Sequence, residues 1–260
     1  MYFNTLKYEN EENLAVLTLS REARLNAISR EMISELESAF DHFESESDSQ
    51  ILIITGEGRA FSAGADIKER VENSDDISVQ RTSIFISPLF RRIELMDKIV
   101  IAAVNGPAFG GGCELALACD LRIASTSASF ALPEGKLGIL PGAGGTQRLP
   151  RLVGISRAKE MMLLGMTIDP YKALDWGLVN FLVNPESLLS ESKEIGAQIL
   201  SMAPKSLALM KHSIDRSSDF NIDAGLEYEQ RCSEIVAKSN DRKEGYLAFV
   251  EKRKPIFTGD

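Results

Sequence analysis

The sequence predicts an α/β protein with a helical C-terminal region. Up to about residue 150, short runs rich in Val, Ile and Leu alternate with segments whose apolar residues recur at helical spacing. Beyond Pro150 the helical spacing dominates to the end of the chain. The breaks between these later helices are expected near Gly165, Pro170, Pro185, Pro204 and Asn240.

The strands and helices of the first part follow one another in a simple order. Residues 14–19 and 50–55 are predicted strands, because both are apolar runs closed by polar residues or glycine. Residues 31–44, between them, form a predicted amphipathic helix, and residues 79–96 form a second long helix. A third predicted strand, residues 99–104, ends at the turn sequence Asn-Gly-Pro.

The charge balance restricts the class of partner. The chain has 29 basic and 38 acidic residues, which gives a formal net charge of −9. Nucleic acid is not expected as the main partner, because phosphate contacts need a basic face. A small anionic ligand, held by a few local cations, stays compatible with this charge. With 44% hydrophobic and 26% charged residues, the chain can bury a sizeable core.

The N-terminus and the cysteines indicate a cytoplasmic protein. The first residues include several acids and contain no apolar run of the kind found in signal peptides. No stretch has the roughly 18 apolar residues of a membrane span, so no membrane partner is expected. Cys113, Cys119 and Cys232 form no CxxC pair and are too few for a disulfide framework. We expect them to be buried thiols.

Several common catalytic arrangements lack their residues. The two histidines, His42 and His212, fall in helical patterns, where we expect them to be solvated or to have neighbouring partners. There is no GxSxG motif, so a Ser-His-Asp triad has no support, and neither does a histidine metal site. The glycines near residue 142 form neither GxGxxG nor a P-loop. We therefore expect no metal and no cofactor.

A glycine-rich region, residues 106–145, holds nine of the 19 glycines. Its glycine triplet, residues 110–112, opens an apolar helix with Glu114 in the first turn. Glycines at such a place let a ligand approach backbone N–H groups at the positive end of a helix. Glu114 is embedded in apolar neighbours, where an ionised carboxylate is costly, which favours a functional role. Stabilisation of the helix dipole is the alternative.

Two further features complete a chemical pattern. Glu134 follows a short apolar segment and a proline, a position that also suits a surface turn. Small residues at 60–65 lead into a helix that Asp66 can cap, which would leave more N–H groups exposed. Two such turns can donate two N–H groups to a carbonyl oxygen that gains charge. Because two carboxylates in one apolar pocket can act as acid and base, the pattern suits proton movement beside a thioester or ketone.

Five motifs occur in one order along the chain. They are FSAGADIKE (61–69), NGPAFGGGCELALACD (105–120), ALPEGKLGILPGAGGTQRLPR (131–151), GLV (177–179) and DRKEGYLAFVEKRKPIF (241–257). Together they resemble the enoyl-CoA hydratase/isomerase (crotonase) superfamily over essentially the whole chain. The resemblance implies a crotonase (ClpP-like) spiral of repeated ββα units over residues 1–198. Residues 199–260 would form a helical region for trimerisation and coenzyme A contacts, in a trimer or hexamer.

The resemblance also implies roles for individual residues. Ala65 and Gly111 would donate the backbone N–H groups of an oxyanion hole to the carbonyl of an acyl-CoA thioester. Glu114 and Glu134 match the two glutamates of hydratases, in which Glu134 would deliver a proton to C2 and Glu114 would help to activate water. Gly142 matches a glycine whose N–H faces the same site.

The same comparison predicts contacts with coenzyme A. Lys68 and Lys252 would face the phosphate-bearing end of the molecule, with Phe249 as the neighbouring aromatic side chain. Ala63 fits a backbone position near the pantetheine and adenine. For Lys252, a solvated basic end of a helix is the alternative interpretation.

The two glutamates favour hydration of a short-chain 2-enoyl-CoA, in fatty-acid β-oxidation or branched-chain amino-acid breakdown. The alternatives are a 3-methylglutaconyl-CoA hydratase of leucine degradation and a Δ3-Δ2 enoyl-CoA isomerase.

One relative in the methylglutaconyl-CoA branch binds RNA through a lysine-rich helix, but residues 30–50 are acidic here, so RNA binding is not expected. A non-catalytic scaffold role is disfavoured by the intact glutamates. In this family, residues 79–96 fall in the region that often shapes the acyl pocket. The bulky side chains there suit either a short acyl group or core packing. They are Phe85, Pro88, Leu89 and Phe90.

Overall fold

The structure, a computed structural model, describes residues 2–11, 13–46, 49–73 and 82–260. Its centre is a sheet of six described strands in the order β1-β2-β3-β4-β6-β8. These are β1 (Leu6–Glu11), β2 (Leu14–Leu19), β3 (Ile51–Gly56), β4 (Ile99–Val104), β6 (Leu121–Ser125) and β8 (Phe181–Val183). Two short strands, β5 (Pro107–Phe109) and β7 (Ser129–Ala131), pair with each other in parallel. This small pair lies beside the candidate site.

The helices are interspersed among the strands as far as β8 and then continue without further strands in the described residues. They are α1 (Arg30–Ser45), α2 (Ile67–Glu72), α3 (Thr82–Leu95), α4 (Gly111–Ala118), α5 (Gly145–Val153), α6 (Ile155–Leu163), α7 (Pro170–Asp175), α8 (Leu188–Leu200), α9 (Pro204–Arg216), α10 (Ile222–Val236) and α11 (Asn240–Glu251). Short 3-10 turns cover Glu22–Arg24, Glu134–Leu137 and Pro185–Ser187. No helix in these described ranges is long and apolar enough to cross a membrane.

The two faces of the central sheet bury different side chains. Apart from the antiparallel hairpin of β1 and β2, its neighbouring strands are parallel. Parallel strands are covered on both faces, which explains why all six residues of β4 are buried and apolar. Successive side chains point to opposite faces, so Leu52 packs in the cluster that contains residues of α1, α3 and α4. Ile53 packs in the other cluster, against Leu188 of α8.

The structure confirms most of the predicted elements. β2 and β4 have the predicted bounds, and β3 and α1 differ from them by one residue at each end. The predicted helix at 79–96 is observed from Thr82 to Leu95, and residues 79–81 lie outside the described residues. Beyond Pro150 the described chain is mostly helical, as predicted, but Phe181–Val183 forms β8, which pairs with β6 and was not predicted. A strand of three residues is too short to show a period of two.

The strands β1, β5 and β6 were also not predicted, and β7 overlaps the short apolar segment noted before Glu134. β1 has the sequence LKYENE and lies at the edge of the sheet, so much of it is polar and exposed. β5 and β7 have three residues each. The expected division after residue 198 falls within α8, which ends at Leu200. That division stays a prediction.

Candidate active site

Glu114 is buried in the first turn of α4 and is only 3% exposed. Its Oε1 atom accepts hydrogen bonds from the backbone N–H groups of Ala143 and Gly145, both at 2.8 Å. Burial raises the pKa of this carboxyl group, and the two N–H donors act in the opposite direction. A helix-dipole residue needs no such partners. The loop before α5 therefore holds this carboxylate in place.

Glu134 begins the 3-10 turn that follows β7, and it is 7% exposed. The interpretation of Glu134 as a surface turn acid is therefore wrong. Its Oε2 atom is buried and has no hydrogen-bond partner among the described residues. Burial raises the pKa of Glu134 from 4.5 to about 7; its own backbone N–H opposes the rise and the charge of Glu114 adds to it. An unpartnered buried carboxyl oxygen costs free energy, which makes Glu134 a candidate functional residue.

The two carboxylates differ in a way that suits an acid and a base. Glu114 has two fixed donors, which favour its ionised form, whereas Glu134 can carry a proton near neutral pH. They face each other closely enough for the charge of one to act on the other. A Cβ atom built on Gly110 would lie 3.0 Å from Glu134 Oε1. Only glycine fits beside this carboxylate, since Gly110 also has φ of 51°.

Two backbone segments meet in front of these glutamates. Ser62 forms a parallel bridge with Ala108, held by hydrogen bonds from Ser62 N–H to the Pro107 carbonyl and from Phe109 N–H to the Ser62 carbonyl. At the end of this pairing lie Ala65 and Gly111. A Cβ atom built on Gly111 would lie 3.7 Å from the Ala65 nitrogen.

The N–H groups of Ala65 and Gly111 donate to no protein acceptor among the described residues. Gly111 is the first residue of α4, so its N–H points out of the helix at the positive end of the dipole. Ala65 directly precedes Asp66, whose side chain caps α2 as predicted. Two adjacent backbone donors without acceptors are the arrangement that an oxyanion hole requires.

Gly142 lies exposed in the loop before α5, one residue ahead of Ala143. No contact of the described residues fixes the direction of its N–H, so its role stays a prediction. The sequence interpretation missed Ala143 and Gly145, which hold Glu114. The density of small residues at 142–145, directly before a helix, was the signal that could have indicated backbone donors there.

A cavity of about 670 Å³ opens beside the start of α2. Lys68 lines it together with Arg24 and Arg59, and the acidic residues Glu22 and Asp66 belong to the same lining. Ala63 donates its N–H to the carbonyl of Leu25, which is part of the same wall. The predicted residues Ala63 and Lys68 are therefore brought together beside a cavity lined by three basic and two acidic side chains.

Phe249 and Lys252 lie elsewhere in this chain. Phe249 belongs to α11 and is 85% exposed, and Lys252 follows directly after that helix. Neither lines the cavity that contains Lys68. The structure of a single chain thus does not bring the four predicted coenzyme A residues together.

Other predicted features have plain structural roles. The two histidines pair with carboxylates as expected, His42 with Glu46 and His212 with Asp97. Leu89 and Phe90 are buried in the core, so core packing, rather than an acyl pocket, explains these two side chains. In the described ranges, no group of three or more His, Cys, Asp and Glu side chains is arranged to hold a metal ion.

Comparisons with known proteins agree with this geometry. Residues 9–260 match the model of the family described as Enoyl-CoA hydratase/isomerase. The chain is 42% identical over 255 residues to the short-chain-enoyl-CoA hydratase of Clostridium acetobutylicum, covering 98% of this chain and 97% of that protein. It is 42% identical over 258 residues to the crotonyl-CoA hydratase of Syntrophomonas wolfei, covering 99% of each. The crystal structure of an enoyl-CoA hydratase from Bacillus anthracis matches with a TM-score of 0.95 at 39% identity, over 99% of this chain and 100% of that one.

Proposed function

Because this chain belongs to the enoyl-CoA hydratase/isomerase family, we propose that it hydrates short-chain 2-enoyl-CoA thioesters. It is a hydro-lyase with the crotonase fold, and it acts on acyl-CoA by adding water reversibly across a C2–C3 double bond. Within the family, the observation that supports hydration is the pair Glu114 and Glu134, because one carboxylate has two backbone donors and the other has a raised pKa. An enzyme that adds water needs both a base for the water and an acid for C2.

The two glutamates divide the proton transfers between them. Ionised Glu114, fixed by two backbone donors, accepts a proton from the attacking water while the water oxygen bonds to C3. Glu134, whose pKa of about 7 lets it carry a proton near neutrality, gives that proton to C2. The proton left on Glu114 returns to Glu134 before the next turnover. The net change is the addition of one water.

Addition at C3 places negative charge on the thioester oxygen before C2 is protonated. The N–H groups of Ala65 and Gly111 would stabilise this enolate. They are backbone groups fixed by the pairing of two segments, so they need little reorganisation during the reaction. One donor of this kind is typically worth ~3–4 kcal/mol. The reaction needs no cofactor beyond the coenzyme A of its substrate.

Coenzyme A would bind in this cavity, where Lys68, with Arg24 and Arg59, would face its phosphates and Ala63 would lie beside the pantetheine. Phe249 and Lys252 do not line this cavity within one chain. Both would contact the coenzyme if an adjacent copy placed its α11 over the cavity. We therefore include a trimer or hexamer in the proposal, with α9, α10 and α11 between subunits. Exposed apolar side chains on the two last helices support such contacts; they include Ile222, Leu226, Tyr246, Phe249 and Val250.

The acyl group of the substrate is proposed to be short and unbranched. Two relatives at 42% identity are named for short-chain-enoyl-CoA and crotonyl-CoA. The comparisons do not favour the alternatives of 3-methylglutaconyl-CoA hydratase and Δ3-Δ2 isomerase. We place the enzyme in the cytoplasm and in the β-oxidation of acyl-CoA.

A panel of substrates tests this proposal. Values of kcat/KM would be compared for 2-enoyl-CoA esters of four to sixteen carbons, 3-methylglutaconyl-CoA and a 3-enoyl-CoA. We expect crotonyl-CoA to give the highest value and the 3-enoyl-CoA only a small one. A higher value for 3-methylglutaconyl-CoA or for the 3-enoyl-CoA would replace the proposed substrate. Absence of turnover on every ester would reject the hydratase function.

A further inference from the structure

Arg148 of α5 connects the glutamate site to helix α3. Its Nη1 atom donates to the Ala143 carbonyl at 2.6 Å, and its Nε atom donates to Glu94 Oε1 at 2.5 Å. Glu94 also accepts a hydrogen bond from Arg91, one turn earlier in α3. The chain of contacts thus runs from α3 through one guanidinium group to the loop that holds Glu114.

The guanidinium group of Arg148 lies directly against this loop. A Cβ atom built on Gly144 would be 2.0 Å from Nη1, and Gly144 has φ of +107°. Arg148 can reach the Ala143 carbonyl because residue 144 has no side chain. On either side of Gly144, the N–H groups of Ala143 and Gly145 donate to Glu114. The loop is therefore fixed both by Glu114 and by Arg148.

The contact between Arg148 and Glu94 is not a surface ion pair. The Arg148 side chain is 12% exposed and the Glu94 side chain is 18% exposed. Exposed ion pairs contribute little to a structure, but a shielded arginine whose donors point in fixed directions imposes a geometry on its acceptors. Arg148 uses one donor on a carboxylate and another on a backbone carbonyl, so it sets the distance between α3 and the loop.

We propose that Arg148 is a positioning residue for the hydration reaction. It holds the Ala143–Gly145 loop so that two N–H donors keep the Glu114 carboxylate aimed at the water, and Glu94 holds Arg148 in turn. The inference rests on the proposed hydratase function and adds a residue outside the reacting groups to the same site.

The charge of Arg148 acts on Glu114 in the same direction as the loop donors. It lowers the pKa of Glu114, against the effect of burial. The other ionisable groups that face this carboxyl are Glu134 and the buried thiol of Cys113. Glu94 and Arg91 face Arg148 itself. Loss of Arg148 would therefore raise the pKa of Glu114 and protonate the base at a higher pH.

Four variants separate position from charge. In Arg148→Gln we expect kcat for crotonyl-CoA to fall roughly 10- to 100-fold, the usual cost of a small misplacement. KM should stay within about threefold of the wild-type value, and the acidic limb of the pH profile of kcat should shift to higher pH.

Arg148→Lys keeps the positive charge but loses the directed pair of donors. The acidic limb should therefore stay at its wild-type pH, and kcat should be only partly restored. Glu94→Gln weakens the contact that holds Arg148 and should also lower kcat. Arg151→Gln, a half-exposed arginine on the same helix, is the matched control and should behave as wild type.

A readout without substrate keeps this test separate from the proposed function. The carboxyl carbon of Glu114, labelled with ¹³C and assigned by comparison with Glu114→Gln, is titrated by NMR in wild type and in Arg148→Gln. A higher titration midpoint in the variant supports the action of Arg148 on Glu114 independently of turnover, and the loss of kcat then ties that action to hydration. Absence of turnover in wild type would reject the hydratase function while leaving the effect on Glu114 measurable. Unchanged kcat and an unchanged titration in folded Arg148→Gln overturn it, as does a loss confined to KM. If Arg148→Gln does not fold by circular dichroism, Arg148→Lys and Glu94→Gln decide the same comparison.

Discussion

Lys211 of α9 donates to Asp120 Oδ2 at 3.0 Å, and this buried pair joins the C-terminal helices to the central sheet. The Lys211 ammonium also donates to the carbonyls of Ile93 and Lys98. Asp120 accepts a further hydrogen bond from the backbone N–H of Val100 in β4. All three ammonium donors thus have acceptors, and together they place the start of the last three helices against α3 and β4.

Removing one partner of this pair should be costly. In Lys211→Met we expect a loss of about 3–5 kcal/mol in the free energy of unfolding, because Asp120 is left buried and unpaired. The double variant Lys211→Met/Asp120→Asn should lose less. Urea denaturation followed by circular dichroism measures both. Lys205→Met on the same helix is the control, since Lys205 has no ion pair among the described residues. Equal losses in the single and double variants would contradict the expectation.

The paired glutamates should be separately required. We expect Glu114→Gln and Glu134→Gln each to lower kcat for crotonyl-CoA hydration by roughly 10²–10⁴-fold, the usual contribution of a positioned base or acid. Hydration is followed by the loss of absorbance of the conjugated thioester. Glu229→Gln, an exposed glutamate of α10, serves as the control. A folded glutamine variant at either site with near wild-type turnover would refute its assigned role.

The raised pKa of Glu134 should also affect stability. Its folded pKa of about 7 exceeds its ordinary value of 4.5, so the folded state binds more protons than the unfolded state between these values. The free energy of unfolding should therefore fall as the pH rises from about 4.5 to 7 through this group. Glu134→Gln removes the titration and should be more stable than wild type at pH 8, with a smaller difference at pH 5. Denaturation series at the two pH values measure this, and a pH-independent difference would count against it.

Gly64 should be essential for the oxyanion hole. It has φ of +88°, and an added Cβ atom would lie 2.6 Å from the Phe109 carbonyl oxygen. In Gly64→Ala the two segments must move apart, so we expect kcat to fall by about 10²–10³-fold, as for loss of one oxyanion donor. Gly225→Ala, within α10 and with open space around it, is the control and should gain about 0.5–1 kcal/mol of stability. Unchanged kcat in a folded Gly64→Ala protein would remove the Ala65 and Gly111 pair from the proposal.

The cavity lined by Lys68 should make substrate binding depend on salt. We expect Lys68→Gln to raise KM for crotonyl-CoA about two- to fivefold with kcat unchanged, as suits a solvent-exposed charge contact. Raising the ionic strength should raise KM in wild type and less so in the variant. Lys238→Gln at the end of α10 is the control. If KM for wild type did not change with salt, the phosphates would have to bind elsewhere.

The sequence indicated the two glutamates in different ways. Glu114 stood in an apolar run beside a glycine triplet, so its burial could be predicted from local pattern. Glu134 did not stand out locally, since a proline and a glycine beside it also suit a surface turn; it gained a possible acid-base role only in combination with Glu114, and the family motif then gave it the specific role of protonating C2. Its carboxylate lies beside Gly110 and Glu114, which belong to an earlier segment of the chain, and local sequence pattern does not show such contacts.

The residues around Glu114 show where prediction from sequence ends. Ala143 and Gly145 act through backbone N–H groups, so their side chains carry no chemical signal. Arg148 resembles any other arginine on an amphipathic helix until α3 brings Glu94 against it, 54 residues earlier in the chain. Such roles arise from contacts between distant segments, and periodicity and motifs describe only neighbouring residues.

The use of backbone N–H groups at Ala65 and Gly111 has a consequence for the evolution of the site. Because the donors belong to the main chain, no substitution of those two side chains removes them directly. Substitutions at neighbouring glycines, such as Gly64 and Gly112, are the ones expected to disturb these donors, because an added side chain there would clash with the opposite backbone segment. If these N–H groups bind the thioester carbonyl as proposed, a descendant of this gene could exchange either glutamate for another reactive group and still polarise the thioester. In that case the backbone fold would preserve the groups that activate the carbonyl, and the side chains at positions 114 and 134 would determine which reaction follows.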